Sequence, residues 1–469
     1  MSYNKKTHLQ TNIEAIHIAF TLDREKRRAT EAERAVLRQY SGFGGLKCIL
    51  NPAQTEADKA YWTKSEVDLF PSVSGLHRLI RENSRDENEY KRYFGSLKNS
   101  VLTAFYTPSE AVQAITESLH RKNIAPKRFL EPSAGNGVFS DAFKKRFLQN
   151  ETVCFEKDLL TGKILSHLNP GDKVHISGFE EIENRTGNKF DVVSSNIPFG
   201  DISVFDPLFS RSGDIVRRQA SRTVHNYFFL KGIDTLREGG ILAFITSQGV
   251  MNSPQNEPVR EWLMKNANLV LAIRLPNNLM SDNAGTEVGS DLVILQKNSA
   301  KTSLTAEEQA FLKSRTLSNG ANINNYYQDF SRVVHTKAYP GKDLYGNPGM
   351  IFIHEGGIPG MANDLKKMLS DDFSRRLNKK LYWDNSTAPR PDDEMTKEEY
   401  EEIDAAIKAV KLGKWDEFVA KRPYINGKPE EKAQMQPEVQ PQPSKSTSSV
   451  ERQPVMSLYD LFGFSEEER

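Results

Sequence analysis

The chain has 469 residues, of which 38% are hydrophobic and 27% charged, and its 63 Lys+Arg against 62 Asp+Glu leave a net charge of +1. At roughly 150 residues per domain this length implies two or three domains with ample core, which excludes a wholly disordered chain, and near-neutrality confines any nucleic-acid surface to a local patch. Two cysteines, Cys48 and Cys154, suit a reducing, cytoplasmic setting, while the polar opening and the lack of about 18 uninterrupted apolar residues argue against a secreted or membrane-spanning chain.

Residues 1–98 read as a charged, mostly helical N-terminal region with Ala35-Val36-Leu37 and Val67-Asp68-Leu69-Phe70 as apolar anchors. Ser41-Gly42-Phe43-Gly44-Gly45-Leu46 interrupts it, either as a turn between helices or as a flexible loop near a ligand. From 99 to 299 short apolar runs alternate with amphipathic stretches, the pattern of an α/β sheet. The predicted strands are Lys127–Leu130, Thr152–Phe155, Lys173–Ile176, Phe190–Ser194, Gly240–Thr246, Leu269–Arg274 and Leu292–Gln296. Residues 300–427 read as an α+β region whose middle is rich in turns, at Tyr339-Pro340-Gly341, Gly346-Asn347-Pro348-Gly349 and Gly356-Gly357-Ile358-Pro359-Gly360. A capping box of Thr396 and Glu399 opens a helix presenting Tyr400, Ile403, Ile407 and Val410. Residues 428–469 form a tail: Pro, Gln and Ser dominate to Met456, so disorder is expected, and Ser457–Phe464 is an apolar motif that either docks a protein partner or packs on its own chain.

Within the α/β region, Leu130-Glu131-Pro132-Ser133-Ala134-Gly135-Asn136-Gly137 runs from a strand through small residues into a helix, so that backbone can approach a ligand at the strand's carboxyl end. No Lys-Ser/Thr pair follows, which disfavours a phosphate loop, and the three spaced glycines of the dinucleotide fingerprint are not met. Glu156, nineteen residues after Gly137 at the tip of the next strand, is placed to accept hydrogen bonds from ribose hydroxyls; the alternative is a surface charge paired with Lys157. A third strand ends in Asn196-Ile197-Pro198-Phe199, an amide, a constrained Pro and an aromatic face able to hold a planar amine. Between that tetrad and the next strand, Arg211, Arg217, Arg218 and Arg222 against Asp214 give the stretch 211–222 a charge of +3, suited either to phosphate contacts or to a solvated loop. The nine His are scattered, and no metal site is expected.

The order Phe105-Tyr106-Thr107-Pro108, then Leu130–Gly137, then Asn196–Phe199 resembles the S-adenosylmethionine-dependent adenine-N6 DNA methyltransferases of the γ arrangement, and more closely the orphan methylases carried by bacterial mobile elements, with or without a restriction-modification partner. The resemblance covers about 200 residues and extends to Gly239–Thr246 and Arg274-Leu275-Pro276-Asn277-Asn278. It implies a class I, Rossmann-like methyltransferase fold with a mixed seven-stranded sheet. Carried over by position, it puts Tyr106 and Thr107 near the methionine part of S-adenosylmethionine, Glu131, Gly135 and Gly137 around its amino-acid end, Glu156 at the ribose, and Phe179 and Glu180 at the adenine. Asn196, Ile197, Pro198 and Phe199 become the catalytic tetrad acting on a flipped adenine in DNA, and residues 300–427 a candidate target-reading region. Ile197 departs from the first Pro of the family's tetrad: it can supply the carbonyl but not the fixed turn. Thr107, Pro108 and Glu110 also read as a helix cap before Val112, Ile115 and Leu119. Transfer to RNA or to protein glutamine, and a non-catalytic cofactor- or DNA-binding module, remain open.

Overall fold

In the computed structural model, residues 4–386 are described except 104–105, 149, 186–188, 201, 282–286 and 344–345, together with isolated positions between 405 and 417. Thr396, Glu399, Tyr400, Ile403, Ile407 and Val410 of the expected helix, and the tail with its terminal apolar motif, lie outside the described residues.

All seven predicted strands form and join one sheet: β1 (Arg128–Glu131), β2 (Glu151–Phe155), β3 (Lys173–His175), β4 (Phe190–Asn196), β5 (Leu236–Ser247), β6 (Ala267–Leu275) and β7 (Ser290–Lys297). Their order is β3-β2-β1-β4-β5-β7-β6. The first five run parallel, and β7 is antiparallel to both β5 and β6. This is the class I methyltransferase sheet. It leaves the carboxyl ends of β1, β2 and β4 side by side at the switch of strand order, where open α/β sheets bind ligands.

The strands read as unbroken apolar runs because both faces are covered. Phe129, Val192, Ile241, Ala243 and Ile245 enter one buried cluster, with α5 (Ser109–Arg121), α6 (Val138–Arg146) and the helix Gly357–Arg376. Their neighbours Leu130, Val193, Leu242 and Phe244 enter the other, with the helices Val224–Thr235 and Glu257–Asn266. Successive side chains thus point to opposite faces, as pleating requires.

The N-terminal region is helical, with α1 (Lys5–Glu25), α2 (Glu31–Leu37), α3 (Phe70–Glu82) and α4 (Glu87–Thr103). Its core continues into α7 (Leu159–Leu168) through Leu160, Ile164 and Leu168. The Ser41–Leu46 segment is a turn around a fully buried Phe43, whose N–H donates to Ser100 Oγ at 3.0 Å.

Two readings of the C-terminal region need correction. Tyr339-Pro340-Gly341 is no turn but part of β10 (Lys337–Lys342), paired with β11 (Pro348–Ile353). β8 (Ser314–Thr316) and β9 (Asn322–Asn324) make a smaller hairpin before it. An isolated two-stranded ribbon tolerates Pro340 because no third strand needs its missing N–H. Gly356–Gly360 likewise opens the helix Gly357–Arg376, with Pro359 in the first turn, where a missing donor costs nothing. Asn277 and Asn278 hold this region to the core: Phe352 N–H donates to Asn277 Oδ1 at 3.0 Å, and Asn278 exchanges hydrogen bonds with the His354 backbone at 3.1 Å.

Candidate active site

A cavity of about 370 Å³ opens at the carboxyl ends of β1, β2 and β4. It is lined by Tyr106 and Thr107, by Glu131 and the glycine loop, by Glu156, by Phe179 and Glu180, and by the whole Asn196–Phe199 tetrad. Eleven of the twelve positions singled out in the sequence for cofactor and catalysis thus line one cavity; Gly137 does not line it and acts through the loop's shape.

The loop between β1 and α6 is shaped by glycine. Gly135 and Gly137 have φ of +54° and +84°, where a side chain is strained. A Cβ on Gly135 would come within 2.5 Å of the Tyr106 ring, and one on Gly137 within 2.6 Å of Leu165. Gly137 caps α6, and the buried Glu131 accepts from Ser140 N–H at 2.8 Å, satisfying one of that helix's orphan donors. β2 holds the other side of the loop: Ala134 N–H donates to the Phe155 carbonyl at 2.9 Å.

Glu156 is buried and turned into this loop. Its carboxylate accepts from Gly135 N–H and from Asp158 N–H, each at 2.7 Å. Burial, helped by the neighbouring Asp158, pushes its carboxyl up to about 7. The surface pairing with Lys157 is not formed; Lys157 pairs with Glu180 at 3.2 Å instead. Burial also raises Glu131 well above the usual carboxylate range. Among the described residues neither buried acid is paired with a cation, and such acids favour a cationic, hydroxyl-bearing ligand.

Asn196 is the last residue of β4, two residues beyond the predicted strand end, which fixes its backbone in the sheet. Ser195 Oγ donates to the Ser133 carbonyl at 2.8 Å, tying the tetrad to the glycine loop. Ile197 N–H donates to the Ile245 carbonyl at 2.9 Å, and the Ile197 side chain is buried in the core. A ladder hydrogen bond, which Pro could not donate, here holds the backbone that a pyrrolidine ring would otherwise constrain. Phe199 is half-buried at the cavity wall. Phe179 packs against Phe228, with centroids 5.2 Å apart.

The cap reading of Thr107 is not observed. α5 starts at Ser109 with Pro108 as its N-cap and no side-chain cap bond, although Val112, Ile115 and Leu119 are buried as predicted. The buried Thr107 Oγ1 and Asn136 Oδ1 have no protein partner among the described residues. Both Thr107 and Asn136 line the cavity, so its polar lining has unfilled hydrogen-bonding capacity.

Several lining residues were not legible in the sequence. Asn99 and Ser100 reach the cavity from α4, and Asp158 caps α7 while accepting from Ser96 Oγ. Asn136 Nδ2 donates to the Tyr40 carbonyl at 3.1 Å, so the N-terminal helices buttress the glycine loop. The only local cue was the polar Asn inside that loop.

The Arg-rich stretch is not an open loop throughout: it follows the short helix Pro207–Ser210, and Arg217 and Arg218 lie on a second short helix, Ile215–Ala220. Arg217 makes a bidentate pair with Asp234 at 2.5 and 2.6 Å and lies over Trp262. Its guanidinium is thus already held in an ion pair, whereas Arg211, Arg218 and Arg222 are exposed and Arg218 donates to the Ser212 carbonyl. Cys48 and Cys154 are buried thiols. Among the described residues no acid, His or Cys cluster could hold a metal, and no helix is long and apolar enough to cross a membrane.

Residues 139–279 match the model of the Eco57I restriction-modification methylase family. Defense against restriction protein B of Escherichia phage P1 is 28% identical over 295 residues, which are 61% of this chain. The chain spans 12% of the length of that curated relative. Among solved structures, the type I restriction-modification system methyltransferase subunit from Streptococcus thermophilus superposes with a TM-score of 0.38 at 12% identity, covering 80% of this chain and 94% of that one.

The cofactor implied is S-adenosylmethionine, and the lining fits it: buried acids for its cationic and hydroxyl groups, unfilled polar atoms at Thr107 and Asn136, and a glycine loop that a side chain would obstruct. The chain carries the class I, S-adenosylmethionine-dependent methyltransferase fold, and its residues 139–279 are similar to the Eco57I restriction-modification methylases.

Proposed function

We propose that the chain transfers a methyl group from S-adenosylmethionine to the N6 amine of adenine in DNA, with the base flipped out of the duplex. The observation that carries this reading is that one cavity unites the glycine loop and Glu156 with the Asn196–Phe199 tetrad.

When bound, S-adenosylmethionine supplies a methyl group on a cationic sulfur. The chain's residues then have two tasks. Glu156 and Glu131 orient the donor from the β2 and β1 ends. Asn196 and the Ile197 carbonyl accept the two N–H bonds of the amine, which draws the nitrogen lone pair out of conjugation and toward the methyl group. Phe199 supplies a face for the base to stack on. The proton lost by the amine passes to solvent, and no covalent nucleophile is needed. Alignment of the reactants supplies much of the rate. A duplex hides the amine in a base pair, so extrusion must precede transfer.

The test is to offer the purified chain labelled S-adenosylmethionine with duplex DNA, structured RNA and a protein glutamine substrate in parallel. Label confined to DNA supports the reading. Label on RNA or protein alone replaces its substrate, and cofactor binding without transfer to any of them makes the chain a non-catalytic binding module.

A further inference from the structure

Phe205 is 81% exposed, although it directly follows Ile202, Ser203 and Val204, which line the cavity. Its setting is rigid on both sides. Val204 N–H donates to the Ser221 carbonyl at 2.8 Å. Asp206, 1% exposed, accepts from Tyr227 OH at 2.7 Å and Lys231 Nζ at 2.8 Å, and caps the following turn by accepting from Leu208 N–H at 2.8 Å. A buried ion pair and a backbone bond therefore hold this ring out in water. Leu208 and Ile215, 61% and 58% exposed, lie on the two short helices that follow, which also carry or adjoin the exposed Arg211, Arg218 and Arg222. The segment thus combines apolar tips with cations at the rim of the cavity.

We propose that Phe205 is a wedge that enters the base stack of duplex DNA at the position the extruded adenine leaves. The inference rests on the proposed function. Extrusion removes stacking from both neighbouring base pairs, and an aromatic ring in the gap restores part of it; apolar side chains inserted between base steps serve this purpose elsewhere. Insertion requires a stiff support, which the Asp206 network and the Val204 bond supply, and nearby positive charge to hold the phosphates, which Arg211, Arg218 and Arg222 supply. DNA fits this surface better than a second copy of the chain, because three exposed guanidinium groups, none of them in an ion pair among the described residues, would face their own kind across a symmetric contact.

The experiment compares the full chain with Phe205→Ala and Phe205→Trp on two substrates carrying a methylated site mapped with the wild type. One is a fully paired duplex; in the other the target adenine lies in single-stranded DNA. Phe205→Ala should lower kcat/KM on the duplex by about tenfold or more, as lost stacking predicts. It should act on the single strand at nearly the wild-type rate, and Phe205→Trp should restore duplex activity. Equal losses on both substrates, or none on either, would overturn the wedge while leaving the methylation reading intact. So would a dimer that Phe205→Ala dissociates while duplex activity is unchanged. A wild type that methylates neither form of DNA would remove the reading on which the wedge depends.

Discussion

Glu156 and Asn196 define the two halves of the site and make opposite predictions. Asn196→Ala should abolish methyl transfer while affinity for S-adenosylhomocysteine, measured by calorimetry, changes little. Gly135→Leu should abolish that affinity, since even its Cβ meets the Tyr106 ring at 2.5 Å. Glu156 adds a pH dependence. Its folded-state pKa of about 7 lies above the ordinary 4.5 because burial and Asp158 oppose the charge. Below 7 the carboxyl is therefore largely protonated and accepts poorly from ribose hydroxyls; above 7 it is ionised. Affinity for S-adenosylhomocysteine should rise by up to about tenfold between pH 6 and 8 and should be nearly flat in Glu156→Gln. The stability sign is the reverse. A raised acid binds more protons folded than unfolded, so this group's contribution falls as pH climbs from 4.5 to 7. At Ile197 the ladder bond to Ile245 predicts that Ile197→Pro, although it restores the tetrad usual in the family, loses stability by about 1–3 kcal/mol in chemical denaturation. The tetrad and Glu156 were legible in the sequence because each sits at a strand tip marked by a change from apolar to polar residues. Asp158, Asn99 and Ser100 were not, since only the approach of α4 to α7 makes them part of the cavity.

At the scale of elements, all seven strands could be read because both faces of the sheet are buried and each strand becomes a continuous apolar run. The C-terminal region misled for a physical reason. Gly and Pro in 339–360 signal turns locally, yet a two-stranded ribbon and a helix's first turn both admit them. The Arg-rich segment shows the same limit, because charge count does not tell which guanidinium is already paired. Arg217→Ala should lower thermal stability through loss of the Asp234 pair and leave the salt dependence of DNA affinity unchanged. Arg218→Ala with Arg222→Ala should do the opposite, flattening the slope of log affinity against log salt by up to roughly two units. Fluorescence anisotropy over a salt series separates the two.

In the whole molecule, the packed core runs across positions 98 and 299 without a break. Leu160, Ile164 and Leu168 of α7 pack with the N-terminal helices, and Phe311, Tyr326 and Phe352 pack with the sheet. Tyr40 and Ser96 touch the glycine loop and the Asp158 cap. A chain lacking residues 1–98 should therefore expose α7 and lose cofactor affinity, which calorimetry on the soluble fraction would register. Methyl transfer to adenine by the Asn196 tetrad is tested by nucleoside mass spectrometry of duplex DNA incubated with S-adenosylmethionine and either the wild type or Asn196→Ala. N6-methyladenine should form with the wild type and not with Asn196→Ala. Methylated cytosine, unmodified DNA with the wild type, or equal N6-methyladenine from both proteins would contradict this assignment.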